Sequence, residues 1–124
     1  MKKHTFILAI VLSVFIGNFA IAQNGVSKSE LLKAMNNVDD LGLSNDKSSA
    51  LKDYNKGFTD NVFDITNSNK SDEDKVLELK KLRDKGNRDL KNILGDDSLK
   101  SFKKAMKKEL KPLKRKSKLL KFII

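Results

Sequence analysis

The sequence predicts an all-α protein, a four-helix elongated hairpin, on three observations. Apolar residues recur every three or four positions after hydroxyl residues that can cap a helix. Gly, Asn and Ser clusters separate these segments. After residue 22 no stretch alternates β-branched and polar residues as a strand would.

The elements follow in order. Gln23 to Val26 reads as a flexible leader. Ser27 followed by Glu30 makes a capping box, in which hydroxyl and carboxylate each satisfy an orphan backbone N–H. Leu31, Leu32, Met35 and Val38 then predict a helix of about three turns, closed by Gly42 in the left-handed conformation. Ser44 caps a second helix with Leu51, Tyr54, Phe58, Val62 and Ile65 on one face. Residues 67–71 carry no apolar side chain and read as a loop. Ser71 caps the third helix, Asp72, Glu73 and Asp74 place negative charge at its positive end, and Val76, Leu79, Leu82, Leu90, Ile93 and Leu94 form its stripe. Gly86 lies inside that stripe and marks a close helix crossing or a bend. Gly95, Asp96 and Asp97 stop this helix and start a fourth, with Leu99, Phe102, Met106 and Leu110, which Pro112 ends or kinks.

The first twenty-two residues have a different character. Lys2 and Lys3 precede an apolar run from Phe6 to Ile16, and Ala20-Ile21-Ala22 follows as a small-x-small exit. This order is that of a Sec-type signal peptide with cleavage after Ala22, and it places the protein in the periplasm or outside the cell. The run is broken at Gly17-Asn18, short of the roughly 20 residues a spanning helix needs. About 100 residues remain, enough for one domain from 23 to 111 and a basic amphipathic tail from 112 to 124.

That remainder contains no Cys, and the chain's one histidine, His4, lies in the leader. Disulfides, Ser–His and Cys–His nucleophile pairs and soft metal sites are thereby excluded from the mature chain. Its glycines are scattered singly, with no phosphate-cradling loop, and no oxygen-rich loop has EF-hand spacing. We expect no catalytic residues, no cofactor and no metal, and no enzymatic activity. Tyr54, Met35 and Met106 read as packing residues.

Charge is segregated. From Gln23 to Leu99 the chain has 13 Lys/Arg against 15 Asp/Glu, whereas Lys100 to Ile124 has 11 against Glu109 alone. In this last segment residues 99, 102, 106, 110 and 113 share one helical face, and lysines cover the rest. Such a segment faces an acidic partner or stays solvated. The candidate partners are unfolded polypeptides or an anionic envelope surface, lipid or lipopolysaccharide. Nucleic acid is a poor partner, for want of an aromatic stacking platform and because an exported protein rarely meets it. The apolar end Phe122-Ile123-Ile124 packs back on the hairpin or serves as a carboxyl-terminal recognition signal.

The layout resembles the Spy/CpxP family of small periplasmic stress proteins, in which an LTxxQ motif occurs twice, about one helical hairpin apart. The residues that carry the likeness are Leu43-Ser44-Asn45-Asp46-Lys47 and Leu94-Gly95-Asp96-Asp97-Ser98, each opening a helix, and it extends over about residues 35–111. Ser44 stands where the family has Thr, whereas Gly95 departs from it, and Lys47 and Ser98 occupy the Gln positions. Leu43, Ser44, Lys47, Leu94, Gly95 and Ser98 are accordingly helix-capping positions. The resemblance implies long central helices in a curved hairpin, pairing into a cradle-shaped homodimer. It also implies an ATP-independent chaperone of the envelope stress response that holds unfolded clients on a basic and apolar concave surface. We place Phe102, Lys103, Met106, Lys107 and Lys108 on that surface, extended by Lys111, Lys114, Arg115, Lys116 and Lys118. Some members bind zinc, for which this chain lacks His and Cys after Ala22. The alternative is an envelope-surface protein whose basic tail binds anionic lipid or lipopolysaccharide.

Overall fold

The structure, a computed structural model, describes residues 26–123. The signal peptide and cleavage site predicted from the sequence, and Ile124, lie outside them. All regular structure among the described residues is helical: α1 (Lys28–Met35), a 3₁₀ turn (Asp39–Leu41), α2 (Asn45–Thr66), α3 (Asp72–Leu94), α4 (Asp96–Glu109), α5 (Lys111–Lys116) and a closing 3₁₀ segment (Lys118–Phe122).

The hairpin of α2 and α3 is the frame, and its helix starts are made by local side chains. The hydroxyls of Ser27, Ser44 and Ser71 accept from the N–H groups of Glu30, Lys47 and Asp74 at 3.1, 3.3 and 3.2 Å. Each satisfies one of the four donors that a helix start leaves orphaned. Of the first capping box only the hydroxyl half is formed; the Glu30 carboxylate lies 4.0 Å from the Lys116 ammonium. Lys28 reaches Asp60 at 2.9 Å and ties α1 to α2. Hydrogen bonding to Asp60, with the charges of Asp60 and Asp64 adding to it, raises the pKa of this ammonium from its ordinary value.

α1 is shorter than its apolar spacing predicts. It stops at Met35, and Val38 is buried from the connection that follows rather than from the helix. The reason is tertiary. Asn55, fully buried on α2, donates from Nδ2 to the Met35 carbonyl at 3.0 Å and to Asn36 Oδ1 at 3.0 Å. The end of α1 is therefore capped from outside. Thr59 beside it directs its hydroxyl at Met35 Sδ, 3.6 Å away. Gly42 takes φ 63°, as its place after the 3₁₀ turn requires. Val26, assigned to a flexible leader, is 6% exposed and belongs to the core. On α2 the inward face includes Asn55, Thr59 and Thr66, while Ile65 is only half-buried.

One apolar core runs through the molecule. Leu31, Leu51, Val62, Leu79, Leu94 and Leu110 are at most 2% exposed and join α1, α2, α3 and the end of α4. Gly86 resolves as a close crossing. A Cβ there would overlap the Tyr54 hydroxyl and touch Phe58, so α3 meets α2 at a point where only hydrogen fits. At Gly95 φ is 79°, and the residue ends α3 and begins α4 without a side chain. At Pro112 one helix gives way to the next, α4 ending at Glu109 and α5 starting at Lys111. Leu110 keeps a helical conformation, donates to the Met106 carbonyl at 2.9 Å and accepts from Lys114 at 2.9 Å. Proline is tolerated there as an early residue of α5. The basic segment then folds back. Leu113, Leu120 and Ile123 enter the core, and Phe122 lies beneath the ammonium groups of Lys80 and Lys121, 5.5 and 5.0 Å from its ring centre.

Candidate functional site

Two features stand out on or beside the segment formed by α4, α5 and the closing 3₁₀ turn. The first is a cationic face. Its apolar stripe is turned inward, so its lysines are turned out. Lys100, Lys103, Lys104, Lys107, Lys108, Lys111, Arg115, Lys116, Lys118 and Lys121 are all exposed, and Lys114 is half-buried. Among the described residues, Lys116 alone of these has a carboxylate within 4.0 Å, that of Glu30. Lys100, Lys104 and Lys108 form one i,i+4 column on α4, and Lys103 and Lys107 another. Like charges at this spacing repel, each pair costing about 0.2–0.5 kcal/mol. Apart from the Lys116–Glu30 pair, the described residues leave this face without ionic compensation.

The second feature is a cleft of about 400 Å³ where α2, α3 and α4 converge. Tyr54, Phe58, Leu90, Phe102, Met106 and Leu110 supply its apolar wall, with Met35 and Ile123 at its edges. Arg83, Asp84, Asn87, Lys103 and Lys107 supply its polar rim. Tyr54 stacks on Phe58 with ring centres 5.7 Å apart, and its hydroxyl points at the Gly86 backbone. Burial, and to a lesser degree the charge of Asp89, push that hydroxyl's pKa above its ordinary value of 10.0. Arg83 is internally compensated by Asp84, which accepts from its Nε and Nη2 at 3.3 Å each. Lys103 and Lys107 have no such partner among the described residues.

The structure sorts the residues named from the sequence into three groups. Phe102, Lys103, Met106 and Lys107 come together at the cleft. Phe102 and Met106, however, are 3 and 4% exposed, which corrects their placement on an open client-binding surface. They sit on the inward stripe of α4, where the hairpin covers them. Lys108, Lys111, Arg115, Lys116 and Lys118 are exposed on the cationic face with the half-buried Lys114, away from the cleft. The motif positions act as helix starts. Leu43 and Leu94 pack against or within the core, Ser44 caps, the Lys47 N–H is the group it caps, and Gly95 and Ser98 open α4. The composition did not point to Tyr54, Arg83, Asn87 or Leu90 as neighbours of Phe102, since nothing short of the fold brings them together. The interruption at Gly86 was the one local signal.

Among the described residues no helix is long and apolar enough to cross a membrane, and no group of three or more potential metal ligands occurs. Comparison with protein-family models, with curated proteins and with solved structures found no match to this chain.

Proposed function

We propose that this is an exported, ATP-independent chaperone-like protein that holds unfolded, net-negative client chains on the face formed by α4, α5 and the closing segment. The observation that carries the reading is the run of cations from Lys100 to Lys121, all exposed but the half-buried Lys114, and among the described residues left without carboxylate partners but for Lys116. Long-range attraction brings the client in, and a charged surface of this kind raises encounter rates in a salt-dependent way. Partly exposed apolar side chains of the same quarter, Leu99, Leu119 and Phe122, supply short-range contact. Loose contact of this kind leaves clients free to depart, so no nucleotide is needed. The signal-like N-terminus and the resemblance in layout to periplasmic stress proteins support the same assignment, including a periplasmic location and a homodimeric state.

The test is aggregation of a denatured acidic client followed by light scattering. At low salt the protein suppresses scattering; at high salt, or with K104E/K107E/K108E/K111E, suppression falls away. Suppression indifferent to both refutes the electrostatic mechanism. A second reading keeps the same face and gives it an anionic lipid or lipopolysaccharide surface. It is favoured by the inward packing of Leu113, Leu120 and Ile123, which leaves the outside of α5 and the closing segment predominantly charged. Co-sedimentation with anionic but not neutral vesicles, abolished by the same substitutions, distinguishes it.

A further inference from the structure

We propose that the cleft between α2, α3 and α4 is a binding site for a single-chain amphiphile with an anionic head, of the fatty-acid type. The inference goes beyond client holding and needs neither clients nor export. Three observations converge on it. The cleft's volume, about 400 Å³, lies within the roughly 300–1,000 Å³ of small-molecule sites. Its wall is aliphatic and aromatic, from Tyr54 and Phe58 on one side to Phe102 and Met106 on the other. Its rim carries two cations one helical turn apart, Lys103 and Lys107, with no carboxylate of the described residues within 4.0 Å.

Charge complementarity selects the occupant. Residues at i and i+4 present Cβ atoms about 5–6 Å apart, a spacing across which one carboxylate can face both ammonium groups. The two lysines repel each other when the site is empty, and an anion between them converts that repulsion into two charge-assisted hydrogen bonds. Arg83, unlike the two lysines, already has a carboxylate beside it, that of Asp84 at 3.3 Å. The wall offers an alkyl chain no polar group but the Tyr54 hydroxyl, which lies against Gly86. A cationic head has no counter-charge at Lys103 and Lys107, and a short acid lacks the chain that fills the wall.

The chain carries its own reporter. Tyr54 is its single tyrosine, and there is no tryptophan, so tyrosine emission reads this cleft and nothing else. The experiment titrates laurate, below its micelle concentration, into the full mature chain while following tyrosine emission and binding heat. Acetate and dodecyltrimethylammonium serve as head-only and opposite-charge probes. Laurate gives a saturable change in Tyr54 emission, the two controls give none, and K103E/K107E weakens laurate affinity about tenfold or more. K52E/K56E, the same charge change on exposed α2 positions, moves it less than about twofold, and circular dichroism shows both variants folded. Absence of a saturable emission change overturns the site, as does equal binding of dodecyltrimethylammonium. Heat without an emission change overturns it too, by placing laurate on the outer lysines. A denatured client that shifts Tyr54 where laurate does not assigns the cleft to peptide side chains and equally defeats the proposal.

Discussion

Lys104 is the most informative position at which to separate stability from function. It occupies the middle of α4, exposed and away from the cleft lining, four residues after Lys100 and four before Lys108. Two like-charge i,i+4 pairs therefore share it. In K104E both become opposite-charge pairs, and the introduced carboxylate, lying N-terminal to Lys108, makes the better-oriented of the two. Relief of repulsion and gain of attraction are each worth about 0.2–0.5 kcal/mol per pair, so the swing over two pairs is roughly 1–2 kcal/mol. Lys and Glu have nearly equal helix propensity, and the position is too central for the helix dipole to matter, so the Coulombic change stands alone. For a domain of about 100 residues, each kcal/mol corresponds to about 4–8 °C in Tm. The assay is thermal unfolding by circular dichroism at 20 mM and at 1 M salt, with K104Q as the variant that removes repulsion without adding attraction. We expect K104E above K104Q above wild type at low salt, and a gap that largely closes at 1 M, where the screening length falls to about 3 Å. A K104E protein no more stable than wild type at low salt refutes the reading of α4 as self-repelling. So does a gain that survives high salt. If the cationic face exists for its partner, the same substitution that stabilises the fold weakens client capture.

Three further outcomes follow from the packing. Replacing Asn55 by Ala strands the Met35 carbonyl and lowers stability by about 1–3 kcal/mol, and N55D, which turns a donor into an acceptor against that carbonyl, lowers it further; urea unfolding measures both. G86A destabilises the wild-type chain, because its Cβ meets the Tyr54 hydroxyl, but in a Y54F background, where that atom is gone, it stabilises by up to about 1 kcal/mol of helix propensity; a double-mutant cycle by urea denaturation reads the reversal in sign. The pKa of Tyr54 is raised in the folded state, so its contribution to stability is fully present below the ordinary value of 10.0 and is lost as pH rises beyond it. Absorbance at 295 nm detects its phenolate in urea near pH 10 but only at higher pH in the native chain, and coincident titrations would contradict the burial of its ring.

Much of the fold was legible where a single residue type answers a local demand. Ser44 and Ser71 read as caps because an orphan N–H needs an oxygen three residues back, and both hydroxyls serve that purpose. Gly86 reads as a crossing or a bend because glycine within an apolar stripe costs helix propensity, and the crossing is what is found. Asn55 and Thr59 were not legible as buried. Their partners are the carbonyl and sulfur of Met35 on another helix, and only the docking of α1 on α2 makes a polar side chain favourable there. The early end of α1 has the same cause. At the candidate site, the cations could be counted from composition, but their outward arrangement depends on which way the apolar stripe turns. The cleft was not legible at all: Met35, Tyr54, Arg83 and Met106 are distant in the chain and meet only through the hairpin.

The inward turn of that stripe also changes how the basic segment must be tested. Deleting residues 111–124 looks like the direct way to ask whether the segment binds an anionic surface. It removes Leu113, Leu120 and Ile123 from the core, which are 8, 3 and 6% exposed. Full burial of such a side chain is worth about 1.5–3 kcal/mol, so three represent roughly 5–9 kcal/mol as an upper estimate. Whole domains are stable by only about 5–15 kcal/mol. The deletion is therefore expected to abolish or nearly abolish cooperative thermal unfolding, and any loss of vesicle binding it causes says nothing about the lysines. Substituting Lys111, Arg115, Lys116 and Lys118 by Gln removes four exposed charges and leaves the buried side chains in place. That variant melts at or above the wild-type temperature at low salt, because little but repulsion and one 4.0 Å pair to Glu30 has been lost. Its vesicle sedimentation and client capture then report on charge alone. A deletion variant that melts cooperatively within about 5 °C of the full chain would show that the segment contributes little to the core. The lysines would then be carried on a tail rather than on a packed face, and the geometry proposed for both client and lipid would fail with it.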